Sequence, residues 1–307
     1  EIKGYLKNSF EKEKIAVVLS YDKDEKVKEI VAASMKLPED MLARLFKSGN
    51  ENTRLFICHD PRITEKTLKV IVQEGSDYNK QTITKTANMT ASVLSILSRD
   101  PSKTVRASAA AHELVSIEDL ERLALDREKE VLIAVANNKN TPEKSFLNLI
   151  KSNDKDVVIS IATNQNTPAS ALSYLAKKAI LHNNKNVKIA IAKNKNASPE
   201  ILYDLWLCND ESIDYELALN PNTIKDVVNS IIENYNDYDD LYFFSRYTTN
   251  KHALIYLAKN SNYDRIKLNV IKKKTCPVEA LQILSKDNDV NIRFNVLISD
   301  NVTKEIV

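Results

Sequence analysis

An all-α repeat array is the fold class this chain predicts, on three observations. One phrase recurs along it. Residues 131–149 read VLIAVANNKNTPEKSFLNL, residues 157–175 read VVISIATNQNTPASALSYL, and the stretch from Val187 reads VKIAIAKNKNASPEILYDL. The phrase keeps a fixed period. Val105, Val131 and Val157 stand 26 residues apart, as do Val27 and Thr53, Val187 and Ile213, and Ile266 and Ile292; a period of this size marks stacked structural repeats. Only three glycines and eight prolines punctuate 307 residues, too few for the many tight turns of an all-β chain. The expectation is a solenoid of about ten to eleven two-helix repeats of roughly 26 residues, forming a single domain over 1–307. Within it, N-terminal capping helices are expected over 1–26 and repeats over 27–307, with irregular stretches near 76–92 and 235–263.

Each repeat divides into two parts. The first is a short apolar stretch such as Val131-Leu132-Ile133-Ala134-Val135-Ala136. Its Val and Ile content fits a strand, but one column is small throughout: Ala32, Ala87, Ala110, Ala136, Ala162, Ala192 and Ala218, with Cys58 in the same column. Alanine is the best helix former and a poor strand former, and a small residue held at one place in every unit fits a close helix–helix crossing. A first helix is therefore expected. Asn138, Asn164, Asn194 and Asn220 follow it. Asparagine tolerates the left-handed conformation that ends helices, so these are expected as C-terminal caps. Next come Thr141-Pro142-Glu143, Thr167-Pro168, Ser198-Pro199-Glu200 and Cys276-Pro277. Thr or Ser before Pro reads as an N-cap followed by the first helical position, with Glu143 and Glu200 on the favourable side of the helix dipole. The second part places apolar residues three and four apart, as in Leu42, Leu45 and Phe46, in Leu172 and Leu175, and in Leu281 and Leu284. That spacing is the face of a second helix.

These residues resemble the leucine-rich-repeat variant family, akin to HEAT and armadillo repeats. The closest unit is residues 105–126, VRASAAAHELVSIEDLERLALD, with a Val-Arg start, a small-residue run and a Leu-x-x-Leu-Ala-x-Asp ending. The resemblance covers roughly residues 15–307 and is blurred around Thr82 and Leu241. It implies a right-handed superhelical solenoid of α-helices alternating with shorter, often 3₁₀-like, helices. It specifies fold and hardly function. One family member is associated with an iron–sulfur cluster held by a cysteine-rich segment, but Cys58, Cys208 and Cys276 stand singly here, so no cluster is expected.

Composition narrows the function classes. Hydrophobic residues make up 43% of the chain, enough for a continuous core, and the formal charge of +2 gives no global pull toward nucleic acid or membrane. Sparse cysteines without CxxC spacing fit a reducing, cytoplasmic setting. No run of about 18 apolar residues predicts a membrane span, and the polar start lacks a signal-peptide core. The chain begins at Glu1 and stops where another second helix is due, so a recognition or regulatory segment of a larger multidomain protein is one expectation.

Departures from the repeat supply the candidate sites. Residues 178–181 are an insertion of about four. From Ala169 through Pro199 there is no acidic residue, while Lys177, Lys178, Lys185, Lys188, Lys193 and Lys195 fall there. Residues 209–240 reverse the sign, with nine carboxylates against Lys225 alone. Beside them Tyr235, Tyr238, Tyr242, Phe243, Phe244 and Tyr247 crowd together, and Arg246 or a neighbour stands in the small-residue column. The lysine run reads either as a solvated face or as a site for an anion or acidic partner. The acidic-aromatic stretch reads either as a packing repair or as a binding patch.

Lone groups carry less. Cys58 beside His59 falls in the core column and reads as a packed thiol, and His112 takes the place of a turn asparagine. His182 and His252 lack partners at metal-ligand spacing, and Gly49 and Gly75 belong to no phosphate-cradling loop. Trp206 reads as core. No catalytic constellation, cofactor site or metal site is expected. The leading expectation is a non-enzymatic scaffold that binds a protein or peptide. Tyr238, Tyr242 and Tyr247 would provide contact area and Asp237, Asp239 and Asp240 would steer a basic partner, with Lys185, Lys188, Lys193 and Lys195 as a second group. The alternative is nucleic-acid binding in the manner of HEAT-like alkylpurine DNA glycosylases. No membrane partner is expected, and the oligomeric state is left open.

Overall fold

The computed structural model describes residues 9–34 and 37–301. Every regular element among them is helical. Tertiary contacts divide the chain into two compact units, 1–157 and 158–307. The first holds α1 (Ser9–Leu19), α2 (Glu25–Ser34), α3 (Glu39–Ser48), α4 (Glu51–Cys58), α5 (Glu65–Glu74), α6 (Asp77–Ile83), α7 (Ala91–Leu97), α8 (Lys103–Ala111), α9 (Ile117–Leu123), α10 (Lys129–Asn137) and α11 (Glu143–Leu149). Helix α12 (Lys155–Thr163) spans the division. The second unit continues with α13 (Ala169–Leu181), α14 (Lys185–Lys193), α15 (Pro199–Trp206), a 3₁₀ turn (Glu211–Ile213), α16 (Asp214–Leu219) and α17 (Lys225–Asn234). It ends with α18 (Tyr238–Tyr247), α19 (Lys251–Asn260), α20 (Asp264–Ile271), α21 (Val278–Leu284) and α22 (Val290–Leu297). Of the expected N-terminal caps, α1 is described and residues 1–8 lie outside the described residues.

Within each unit the helices form two rows. Even-numbered helices pack on even, as α2 on α4 and α8 on α10 in the first unit, or α16 on α18 and α18 on α20 in the second. Odd helices pack on odd, as α3 on α5 and α19 on α21. This is the helical repeat the period predicts. The shorter partner of a pair is α-helical rather than 3₁₀: α9 and α11 are seven-residue α-helices. The insertion at 178–181 lengthens α13 to 13 residues by about one turn.

The small-residue column is buried at Ala32, Cys58, Ala110, Ala136, Ala162, Ala192 and Ala218. One assignment to it is corrected, and the choice between Arg246 and a neighbour is decided. Ala87 is exposed in the turn after α6, and counting 26 from Cys58 places Thr84 in the column. Thr84 is buried, and its hydroxyl is satisfied by the carbonyl of Gln81 at 2.7 Å. Arg246 is exposed, and Ser245 is the small buried residue beside Phe244.

The asparagines act differently from the expectation. Asn138, Asn194 and Asn220 have φ of −71°, −80° and −71°, which is extended backbone. Each works through its side chain. Asn194 Nδ2 donates to the carbonyls of Ala162 (2.9 Å) and Asn164 (2.8 Å), and Asn220 Nδ2 donates to those of Ala192 (2.7 Å) and Asn194 (2.9 Å). Asn138 likewise reaches Ala110 and His112, and Asn250 reaches Asn220 and Thr223. A second rung lies two residues on, where Asn222 Nδ2 donates to Lys195 (2.7 Å) and Ala197 (3.0 Å). Asn-x-Asn is thus a double ladder that gives the helix-end carbonyls of one repeat partners from the next. Among the described residues the left-handed asparagines are Asn183 and Asn209, at φ 48° and 50°, after the second helices α13 and α15.

The threonines before proline are corrected as well. Thr141 Oγ1 donates back to Val135 O at 2.5 Å and Thr167 Oγ1 to Ile161 O at 2.6 Å, so both cap the preceding helix. At Ser198 the expected geometry holds: its side chain accepts from Ile201 N, and Pro199 sits in the first turn.

Candidate interaction surface on the second unit

The basic residue after the anchor position has a structural task. Lys80 meets Asp100 at 2.8 Å, Arg106 meets Asp126 at 2.8 Å, Lys267 meets Asp287 at 2.7 Å, and Lys188 meets Asp210. Each pair ties a first helix to the loop about 20 residues later, and no partner is more than a quarter exposed. Where Leu132 replaces the base, Ser152 stands where the acid would be, and where Val158 replaces it, the loop 182–184 that follows the lengthened α13 holds no acid. Lys188 is therefore removed from the candidate binding residues. It is 2% exposed, and its ammonium also donates to Asn183 Oδ1 at 2.9 Å. The Lys188 ammonium, with the Ser212 hydroxyl, pulls the Asp210 carboxyl down to about 2. Lys193 is exposed and pairs with Glu216 at 3.0 Å. Lys185 and Lys195 are exposed. The basic stretch and the acidic stretch after it thus neutralise each other in part, repeat to repeat.

The aromatic stretch forms α18. Asp237 caps it, accepting from Asp240 N at 2.9 Å. Asp239 and Asp240 stand in its first turn and Arg246 in its last, each on the favourable end of the dipole. Leu241, Phe244 and Ser245 are buried, and that inward stripe leaves Tyr238, Tyr242 and Tyr247 on other faces.

The aromatics sort into two sets. The inner set packs. Tyr215 of α16 lies 5.1 Å from Tyr235, 5.2 Å from Phe243 and 5.3 Å from the buried Phe244, centroid to centroid. Its hydroxyl donates to Asp240, and this bond together with burial pushes the phenol up to about 12. Asp240 is thereby occupied, while Asp237 and Asp239 are exposed.

The outer set faces solvent. Tyr238 stacks on Tyr242 at 5.9 Å and meets the edge of Tyr263 at 4.9 Å. Tyr247, 58% exposed, rests on Phe243 at 4.9 Å. Arg265 of α20 lies over the Tyr242 ring at 4.9 Å, a cation–π contact. The Tyr242 hydroxyl accepts from Arg246 Nη1 and Arg265 Nη2, both at 3.4 Å. The Arg246 hydrogen bond holds this phenol below its usual value against an opposing desolvation, and the Arg265 charge adds to the lowering. The surface is therefore bipolar, with exposed carboxylates at the start of α18 and two guanidinium groups at the Tyr242 end.

Sequence reasoning placed the three tyrosines of α18 and missed Tyr263, Arg265 and Tyr215. The signal was available in the period, because residues about 25 apart lie side by side on neighbouring repeats, as Tyr238 and Tyr263 do.

The lone groups have structural places. Cys58 and Cys276 are buried, and burial pushes their thiols up to about 12 and about 11. His112 Nδ1 accepts from Leu114 N at 3.0 Å, as Asn138 Oδ1 accepts from Asn140 N at 2.8 Å. Trp206 is half-buried against Tyr203. Among the described residues no group of three or more His, Cys, Asp or Glu side chains is placed to hold a metal ion, and no helix is long and apolar enough to cross a membrane. No family model matches the chain, and no curated protein matches it in sequence.

Proposed function

We propose that this protein is a non-enzymatic interaction scaffold, built on repeats of the leucine-rich-repeat variant type, that binds a protein or peptide across α18 and α20. The observation that carries this reading is the outer aromatic set, in which Tyr238, Tyr242 and Tyr263 are held against one another and against Arg265 at the surface. Tyrosine and arginine are the side chains that dominate binding hot spots, and groups already fixed in place lose little entropy on docking. The exposed Asp237 and Asp239 fit a partner that is basic at that end. Charge there chiefly sets association rate and specificity. The same carboxylates oppose a phosphate backbone, which favours protein over nucleic acid.

The test is affinity capture with the full chain beside Tyr242→Ala and Tyr247→Ala, each checked for unchanged circular dichroism. A protein captured by the parent chain and lost with both variants supports the reading. A captured set indifferent to both variants, or one removed by nuclease treatment, overturns it.

A further inference from the structure

The other row of helices carries a cleft of ≈ 520 Å³ across α17, α19 and α21. Three levels follow from helical spacing. At one end stand Lys225, Lys251 and His252, with Glu279 beside them. Four residues along lie the half-buried Ile255, Tyr256 and Ile283. At the far end are Glu233, Lys259 and Asn260. From Lys251 to Asn260 the cleft follows about 13 Å of α19, the length of about four residues of extended chain.

Many surface lysines meet carboxylates of a neighbouring repeat, as Lys66 meets Asp40, Lys103 meets Glu130 and Lys139 meets Glu113, whereas others, such as Lys185, Lys195 and Lys272, form no ion pair among the described residues. Lys225, Lys251 and Lys259 belong to the second group, with no carboxylate oxygen within 4.0 Å of their ammonium groups among the described residues. Lys225 and Lys251 are moreover the first residues of their helices, where a cation opposes the dipole. The odd-row helices α5, α11 and α15 place Glu65, Glu143 and Glu200 in that turn, and α17 sets Asp226 directly after Lys225, while α19 has no acid there. Burial first, and then the charges of Lys251 and Lys225, hold His252 below its usual value against the opposing charges of Glu279 and Asp226.

We propose that this cleft docks an extended acidic peptide. One carboxylate is taken between Lys225 and Lys251, and the adjoining bulky apolar side chain lies on Ile255, Tyr256 and Ile283. Two unpaired cations beside an apolar floor fit a carboxylate next to a large hydrophobe. A peptide is favoured over a single small anion by the length of the cleft. It is favoured over nucleic acid by Glu233 and Glu279, one at each end, which would face a phosphate backbone. The site is separate from the tyrosine surface, being carried by the odd row, and its chemistry is the opposite.

The test uses the full chain and a short fluorescein-labelled peptide with adjacent glutamates followed by leucine and phenylalanine. Its analogue with glutamine for glutamate is the control, and binding is read by fluorescence anisotropy. The glutamate peptide should bind about tenfold tighter than the glutamine analogue, a difference of about 1.4 kcal/mol. Lys225→Glu with Lys251→Glu should weaken it by about tenfold or more, and Tyr242→Ala should leave it unchanged. If the double variant does not fold by circular dichroism, Lys251→Gln alone should still weaken binding severalfold. Absence of binding, equal affinity for the two peptides, indifference to both lysine variants, or displacement by a single-stranded oligonucleotide overturns the proposal. Loss of binding with Tyr242→Ala overturns it too, by placing the peptide on the tyrosine surface, whereas failure of the capture experiment above leaves these readouts untouched.

Discussion

A single asparagine amide spans the repeat contact at Asn138, Asn194, Asn220 and Asn250, and its removal is the sharpest residue-scale perturbation available. Asn220→Ala deletes both donors to Ala192 and Asn194 in a buried setting. A hydrogen bond contributes about 1 kcal/mol and an orphaned buried carbonyl costs about 1–3 kcal/mol, so a loss of about 2–4 kcal/mol is expected in urea unfolding. Asn220→Asp keeps the shape but presents acceptors to acceptors, and should cost at least as much at neutral pH. The ion pair of Lys188 and Asp210 makes a pH prediction. The folded carboxyl lies at about 2 against an ordinary 3.8. A depressed carboxyl contributes stability that is fully present above its ordinary value and is lost as pH falls through its folded value. This contribution therefore fades between about pH 4 and pH 2. Asp210→Asn should flatten the curve of thermal midpoint against pH in that window. Lys188→Met, which keeps the buried stem, should cost less stability than Lys188→Ala.

At the scale of the element, the small column distinguishes buried helix from turn. Ala136 is fully buried on α10, so Ala136→Leu overpacks its contact with α8 and should cost about 1–3 kcal/mol. Ala87 is exposed in a turn, and Ala87→Leu should stay within about 0.5 kcal/mol; denaturant midpoints compare the two. The first and second helices were legible because alanine, the apolar spacing and the period all point one way. The failures have physical causes. At 82–90 the alanine of the turn imitated the column, while Thr84 filled the buried place with its hydroxyl satisfied by its own helix. The asparagines were legible as punctuation but not as ladder rungs, because their donors reach a repeat 26 to 32 residues away. The tyrosine patch was legible as a crowd of aromatics. Its division into packed and exposed sets was not, since that depends on Tyr215 and Tyr263, which lie in other repeats.

For the molecule as a whole, the charge reversal between the lysine-rich and aspartate-rich stretches is in part internal bookkeeping, with Lys188 and Lys193 satisfied by Asp210 and Glu216. The two surfaces proposed for recognition are the outer tyrosines with their guanidiniums and the lysines of the odd row, and neither takes part in this compensation. The ladder itself has a further consequence. Its acceptors are main-chain carbonyls, which every residue owns, so a unit asks nothing of its neighbour's side chains at that rung. Excising residues 187–212, one full period, would offer Asn220 the carbonyls of Ala162 and Asn164 that Asn194 now occupies. The shortened chain should remain cooperatively folded, with a denaturant m value reduced in proportion to its length. An excision of any length out of step with the period should not. Gene segments encoding whole units can then be lost or copied without a compensating change next door, and the number of repeats becomes the trait that inheritance alters most cheaply.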